Sequence, residues 1–246
     1  MKKYVFISGG TRGIGKSIVL SQASSDTCFF INYLRDEESA EETRKEAEKK
    51  GAEVHLFAGN IADSETIASI FKSISSKTKK LDILIHNAAL GVFKPVHELR
   101  EKDWDISLDV NAKAFLQLTQ AALPLMKAQG GHILTISSLG SQRYTPNYGA
   151  IGISKSALEN LVRYLAVELS PYKIRVNAVS GGLVETDSLK SFPDFERMKK
   201  EFLSRTPGGR IGTPEDIAKV VGFLTSPAAD WIYGQTLVAD GGYSLS

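Results

Sequence analysis

The chain predicts a doubly wound, mostly parallel α/β sheet, and three observations carry that expectation. Short β-branched and aromatic runs alternate with longer helical patterns along most of the sequence, as in successive βαβ units. Several of those runs are apolar throughout, the mark of strands covered on both faces. A glycine cluster, Gly9 to Gly15, falls between the first run and the first helical pattern, where a phosphate-binding turn sits in such sheets.

Seven strands are expected, at Tyr4–Ser8, Cys28–Tyr33, Val54–Ala58, Ile83–His86, His132–Ser137, Ile174–Val179 and Thr236–Ala239. Between them, helical spacing predicts segments near 13–24, 36–50, 63–78, 101–128, 148–169 and 214–225, ended by breakers such as Gly51, Gly130-Gly131 and Pro171. The right-handed crossover rule places helices on both faces of one sheet. With no repeat, low-complexity tract or linker, residues 1–246 read as one domain. The stretch from Gly181 to about Thr213 interrupts the alternation. It follows the carboxyl end of a strand, the edge where ligands bind, and is expected to be a mobile loop or helix insert that covers substrate.

Composition excludes several classes. At 42% hydrophobic and 24% charged residues the chain reads as an ordinary globular protein. A net charge of +2 without a dense basic stripe gives no reason to expect nucleic acid. No run approaches the roughly 20 apolar residues of a membrane span. Met1-Lys2-Lys3 leads directly into a strand pattern, so a cytoplasmic location is expected. The one cysteine, Cys28, lies in an apolar run and is expected as a buried structural thiol, and no metal is expected. The mixed charges from Asp36 to Lys50 alternate at helical spacing, as on a solvated helix face.

Gly9-Gly10-Thr11-Arg12-Gly13-Ile14-Gly15 follows the first strand and opens the first helix, the arrangement of a Rossmann turn. Glycines let the backbone bend sharply and approach a pyrophosphate, whose charge then meets the positive end of the helix dipole. The second strand ends Asn32-Tyr33-Leu34-Arg35, without the acid that would hold a ribose 2′-hydroxyl. Arg12 and Arg35 can both approach that corner, which favours a 2′-phosphate and therefore NADPH.

After the fifth strand come Ser137-Ser138, then Tyr148 and Lys155, both assigned to the next helix. Residues seven apart on a helix differ by about 20° in direction, so the phenol and the ammonium share a face, and both project from the ligand-binding edge.

These residues resemble the short-chain dehydrogenase/reductase family, over essentially the whole chain. Thr11 to Gly15 is one family mark. Asn87-Ala88-Ala89 is similar to the family's Asn-Ala-Gly turn beside the cofactor ribose. Asn60-Ile61 stands where Asp-Val usually flanks adenine, Asn111 where a helix asparagine supports a proton relay, and Asp240-Gly241-Gly242 resembles a C-terminal signature. Most members carry a tyrosine four residues before the lysine. Here that position is Ile151, which cannot donate a proton, and the nearest upstream tyrosine is Tyr148.

A tyrosine seven residues before Lys155 resembles the enoyl-acyl-carrier-protein reductase branch. Ser180-Gly181-Gly182-Leu183-Val184-Glu185-Thr186, in place of the usual Pro-Gly, is similar to a run of those reductases, which implies cofactor contacts from Gly182, Leu183, Val184 and Thr186. The runs 137–148 and 163–171 look closest to the NADPH-dependent FabL type. The resemblance implies reduction of a 2-enoyl thioester carried on acyl-carrier protein, with Tyr148 on the thioester oxygen, Lys155 on the nicotinamide ribose, and a homotetramer meeting through helices 101–128 and 148–169.

Two other functions stay open. A carbonyl reductase acting on a 3-oxoacyl thioester would use Ser138 in its ordinary substrate-orienting place; a catalytically silent NADPH sensor would explain the missing tyrosine. Ser138 either touches the thioester or caps its loop. Tyr144, behind Pro146, is a second candidate donor expected instead to pack in its loop. Lys190, Arg197, Lys199, Lys200, Arg205 and Arg210 offer a basic rim for an acidic carrier.

Overall fold

The computed structural model describes residues 2–187, 189 and 195–246. Seven strands, β1 Lys3–Ser8, β2 Thr27–Tyr33, β3 Glu53–Ala58, β4 Ile83–His86, β5 Gly131–Ser138, β6 Ile174–Gly181 and β7 Thr236–Ala239, form one sheet in the order β3-β2-β1-β4-β5-β6-β7. Neighbouring strands pair in parallel throughout. The chain winds outward from β1 to β3 and then crosses back to β4. The carboxyl ends of β1 and β4 therefore flank the crevice where the strand order reverses.

Strand alternation splits the core between the two faces. Phe6 and Phe30 enter one apolar cluster, while Val5, Ile7, Phe29 and Ile31 enter the other. Phe6, Phe29 and Phe30 are fully buried, which contributes roughly 2–3 kcal/mol each. Helices α1 Gly13–Gln22, α2 Glu37–Lys49 and α3 Ser64–Lys77 follow the first three strands. The Asp36 and Asp63 side chains accept backbone N–H groups from the first turns of α2 and α3 and set where those helices begin.

Two expectations are revised. The helix read as continuous over 101–128 is α4 Glu101–Leu108, a π-helical turn Asp109–Lys113, and α5 Ala114–Met126. The helix read from 148 is α6 Gly149–Leu169, so Tyr148 is its cap rather than its first turn. The stretch 181–213 includes a helix, α7 Phe195–Arg205, before α8 Pro214–Leu224, and its ends are tied by backbone bonds from Gly212 to Leu183 (2.8 Å) and Glu185 to Gly212 (2.9 Å).

Cys28 is buried with a free thiol, as expected. At this amino edge of the sheet Cys28, Glu53 and His55 bring possible ligand atoms within 4.8 Å of one another. Glu53 is already ion-paired to Lys2 and bonded to His55 at 2.8 Å. Among the described residues no helix is long and apolar enough to cross a membrane.

Candidate functional site

The glycine turn is a backbone cradle braced from behind. Gly9 adopts a positive φ of 64°, and its N–H and that of Gly10 donate to the Asn32 carbonyl at 2.8 and 3.3 Å. Asn87 Nδ2 donates to the Gly9 carbonyl at 2.7 Å. The Ser8 hydroxyl accepts from Asn87 and Ala88 N–H, both at 3.2 Å. A Cβ on Gly15 would lie 2.1 Å from the Gly9 oxygen, so only glycine lets α1 start this close to the turn.

Arg12, the residue before α1, makes no side-chain cap bond, which leaves the first N–H groups of the helix for an anion. A Cβ on Gly13 would come within 3.3 Å of the Thr186 methyl, so the 182–186 run reaches over the turn. Within that run Leu183 and Val184 are buried. A close-approach turn at a helix start, covered by a second loop, fits the pyrophosphate of a dinucleotide.

The corner beyond β2 is more mixed. Leu34, Arg35 and Arg12 are exposed, and burial raises the pKa of Tyr33. Asp36 lies beside them, but its carboxylate is turned into α2 by bonds from Ser39 N–H (3.0 Å) and Oγ (2.7 Å). Those bonds, and to a lesser extent the Arg12 charge, hold it below the usual carboxylate range.

Asn32 spends its side chain on the Phe57 and Gly59 carbonyls, each at 3.1 Å, and so supports the turn from within. Asn60 is exposed and accepts the Ala62 N–H at 3.1 Å, while Ile61 is buried in the core below it. Thr11 is buried, with its carbonyl held by Thr43 Oγ1 at 3.0 Å, and Ala89 is exposed at the crevice.

Across the crevice, Ser138 and Tyr148 meet. The Ser138 hydroxyl accepts the Gly140 N–H at 3.3 Å, capping a short 3-10 turn, and is also hydrogen-bonded to the Tyr148 phenol. Of the two roles weighed for this serine, the loop cap is present. Tyr148 stacks on Phe93, ring centroids 6.1 Å apart. Its ring also covers Gly140, where a Cβ would lie 2.5 Å from Cδ1. The loop thus aims the phenol, and the expectation that helical spacing from Lys155 sets its direction is corrected. Burial raises the Tyr148 pKa, partly offset by Ser138.

Lys155 is buried and donates to the Ile136 carbonyl at 2.7 Å. Burial pulls its pKa down to about 8, against the opposing charge of Glu159.

A family model described as enoyl-(acyl carrier protein) reductase matches residues 9–244. The chain belongs to the short-chain dehydrogenase/reductase family. It is 37% identical to 1-cyclohexenylcarbonyl-CoA reductase of Streptomyces collinus, over 97% of this chain and 86% of that protein. It is 31% identical to the 3-oxoacyl-[acyl-carrier-protein] reductase FabG of Staphylococcus aureus, over 98% of both. Among solved structures, 7α-hydroxysteroid dehydrogenase complexed with NADH and 7-oxo glycochenodeoxycholic acid superposes with a TM-score of 0.92 at 32% identity, covering 98% of this chain and 93% of that one.

Against the usual short-chain dehydrogenase/reductase pattern, Ile151 fills the place four residues before the lysine. It is buried against Gly91, where a Cβ would lie 2.3 Å from Ile151 Cγ1. Tyr144, expected to pack in its loop, is 89% exposed because the loop turns it outward on the rim of a cleft of about 730 Å³ beside Tyr148. Of the basic residues assigned to a carrier rim, Arg210 is paired with Asp216 (2.6 Å) and Arg205 lies over the Tyr243 ring (5.0 Å). Lys200 is exposed; Lys190 lies outside the described residues.

Of three supporting residues, two escaped the sequence reading. Asn111 sits in the π-helical turn, a form frequent at functional sites. It holds Leu90 through N–H and carbonyl, both at 2.9 Å, and donates to Ser154 Oγ at 2.8 Å. The resemblance marked Asn111, but nothing marked its distorted turn. His86 is fully buried at the end of β4, with Nδ1 2.9 Å from Ser8 Oγ; burial, aided by the Lys155 charge, lowers its pKa to about 3 and keeps it neutral. Glu159 is a buried acid four residues after Lys155, and that spacing on an otherwise apolar face was its available signal.

Proposed function

We propose that the protein is an NADPH-dependent enoyl-thioester reductase, with acyl-carrier protein as the carrier of the acyl group. The reading rests on one observation: the phenol bonded to Ser138 comes from Tyr148, while Ile151 occupies the family's usual tyrosine place. A ketone takes hydride at the carbon that bears its oxygen, whereas a 2-enoyl thioester takes it at the β-carbon, two atoms from the carbonyl carbon. A proton donor displaced from the usual place suits the second geometry.

NADPH supplies the hydride when bound. The cradle at Gly9, Thr11, Arg12, Gly13, Ile14 and Gly15 would hold its pyrophosphate, with Asn87, Ala88, Ala89, Gly182 and Thr186 around the ribose and nicotinamide. Tyr148 hydrogen-bonds the thioester oxygen and stabilises the enolate formed as the β-carbon is reduced, and a proton from the phenol or from water then completes the product at the α-carbon. Ser138 orients that phenol. Lys155 binds the ribose hydroxyls, and its charge lowers the cost of negative charge at the thioester oxygen. The cleft beside Tyr148, bordered by Pro95, Val96, Gly140 and Ile153, has the size and partly apolar lining to take an acyl chain.

The Streptomyces relative supports this reading, because a cyclohexenylcarbonyl thioester carries an alkene beside its carbonyl and no second oxygen to reduce. FabG supports carbonyl reduction of a 3-oxoacyl thioester as the second reading. Purified protein with NADPH and either crotonyl or acetoacetyl thioester separates the two. Cofactor oxidation with crotonyl thioester is the expected result, and oxidation with acetoacetyl thioester alone overturns it. Tight NADPH binding without turnover on either would favour a silent sensor. Crotonyl groups on acyl-carrier protein and on CoA, assayed side by side, decide the carrier.

The same reading takes residues 1–246 as one domain, with 181–213 closing over substrate. It also takes the protein as a homotetramer. Exposed Tyr164 and Val167 on α6 supply an apolar face for such contacts, and light scattering gives the mass.

A further inference from the structure

We propose that Glu159 is a positioning residue for this site: its buried carboxylate grips the hydroxyls of Ser137 and Ser141, fixing the turn that aims Ser138 at Tyr148, and faces the Lys155 ammonium. The proposal rests on the thioester-reductase reading for its catalytic consequence and on geometry for its physical core.

Lys155 and Glu159 lie one turn apart on α6, so both face the sheet. Lys155 reaches the Ile136 carbonyl, and Glu159 reaches the next residue of β5, accepting the Ser137 hydroxyl at 2.6 Å. The same carboxylate oxygen accepts the Ser141 hydroxyl, also at 2.6 Å, and the other oxygen takes Gln142 Nε2 at 3.4 Å. Ser137 and Ser141 bracket Ser138 and the 3-10 turn that it caps. Ser141 Oγ also lies 2.7 Å from the Ser138 carbonyl, so its single proton is shared between that oxygen and the Glu159 carboxylate and ties the acid to the backbone of Ser138.

A carboxylate that is only 3% exposed is costly to bury unless it is paired, and a hydrophobic residue at 159 would pack against β5 as well. What the acid adds is two short bonds that fix a turn and a negative charge beside the lysine. The other titratable group coupled to Lys155, His86 from β4, is held neutral by burial and does not change charge in the working range.

Glu159→Gln and Glu159→Asp separate the two contributions. Gln keeps the size but removes the charge and one strong acceptor; Asp keeps the charge but is too short to span both serines. The full-length protein carrying each change is tested for NADPH affinity, melting temperature and thioester turnover across pH. The Lys155 side chain is titrated by NMR after isotopic lysine labelling, with Lys155→Arg assigning its signal.

Glu159→Gln is expected to lower kcat about tenfold or more with NADPH affinity within about twofold, and to move the Lys155 titration downward by roughly one pH unit. Glu159→Asp is expected to lower kcat while leaving that titration in place. An unmoved titration and unchanged kcat in Glu159→Gln overturn the proposal, as does a loss of kcat matched by lost cofactor binding and melting temperature. If the unaltered protein reduces no thioester, the proposed function fails, and the NMR titration still decides whether Glu159 acts on Lys155.

Discussion

The two sides of the crevice are built from different materials. On the β1 side the wall is main chain: Gly9, Gly13 and Gly15 remove side chains so that a ligand can approach, and Asn32, Asn87 and Ser8 brace the turn from behind. On the β5 side the wall is side chains: a phenol, three serine hydroxyls and a carboxylate linked around one short turn, with an ammonium bonded to the strand beside it. A backbone wall is fixed by sterics and tolerates one residue type. A side-chain wall is fixed by hydrogen bonds and can draw its phenol from more than one sequence position.

Removing the phenol oxygen tests the side-chain wall most severely. Tyr148→Phe leaves the ring stacked on Phe93 and over Gly140 but removes the donor, and kcat should fall at least a hundredfold, with NADPH affinity within about twofold. Near-normal turnover would transfer the donor role elsewhere and sink the proposed chemistry.

Two glycine substitutions set the walls against each other. In Gly15→Ala the new methyl meets the Gly9 carbonyl at 2.1 Å, backbone against backbone, and the protein should lose about 3 kcal/mol of stability together with its cofactor affinity. In Gly140→Ala it meets the Tyr148 ring at 2.5 Å, which can swing aside, so turnover should fall while melting temperature and cofactor affinity hold. Equal loss of cofactor affinity in both variants would erase the distinction between the walls.

The contrast also explains what the sequence revealed. Strand positions and the glycine cradle were legible because burial and close approach restrict residue type at each position: Gly15 has no substitute, and β4 reads Ile83 to His86 in both accounts. The side-chain wall was legible in part: Ser138, Tyr148 and Lys155 were singled out, Glu159 was not, and neither was the geometry. Tyr148 and Lys155 were found by type and spacing, but a helical period could not place a phenol that belongs to the cap of α6 and is aimed by Phe93 and Gly140. The loop at Tyr144 was misread for a related reason. Which way a short turn faces depends on distant partners, here Arg143 reaching Tyr243 at 3.3 Å.

Acidity sharpens the comparison without changing a residue. Lys155 releases its proton near pH 8 in the folded protein because burial penalises its charge. Turnover that needs the ammonium should be constant below that pH and fall toward tenfold per unit above it. The unfolded chain keeps the same proton to about pH 10.4, so between those values this group favours the folded state as pH rises. Activity should therefore fall while circular dichroism stays native. A rate that is flat to pH 10 would remove the ammonium from the mechanism.

The smallest effect is expected at the outer end of the backbone wall, where Arg12 stands at the edge of the cradle within reach of Asp36. Asp36 is occupied by Ser39, so its charge opposes a 2′-phosphate less than a free carboxylate would, and Arg12 is available to attract one. Arg12→Ala should weaken NADPH by about tenfold and NADH by less than about twofold, with the NADPH loss shrinking as salt is raised. Equal weakening of both cofactors would place Arg12 on the shared pyrophosphate. The backbone wall would then be indifferent to the 2′ position, and any preference for NADPH would have to come from Arg35.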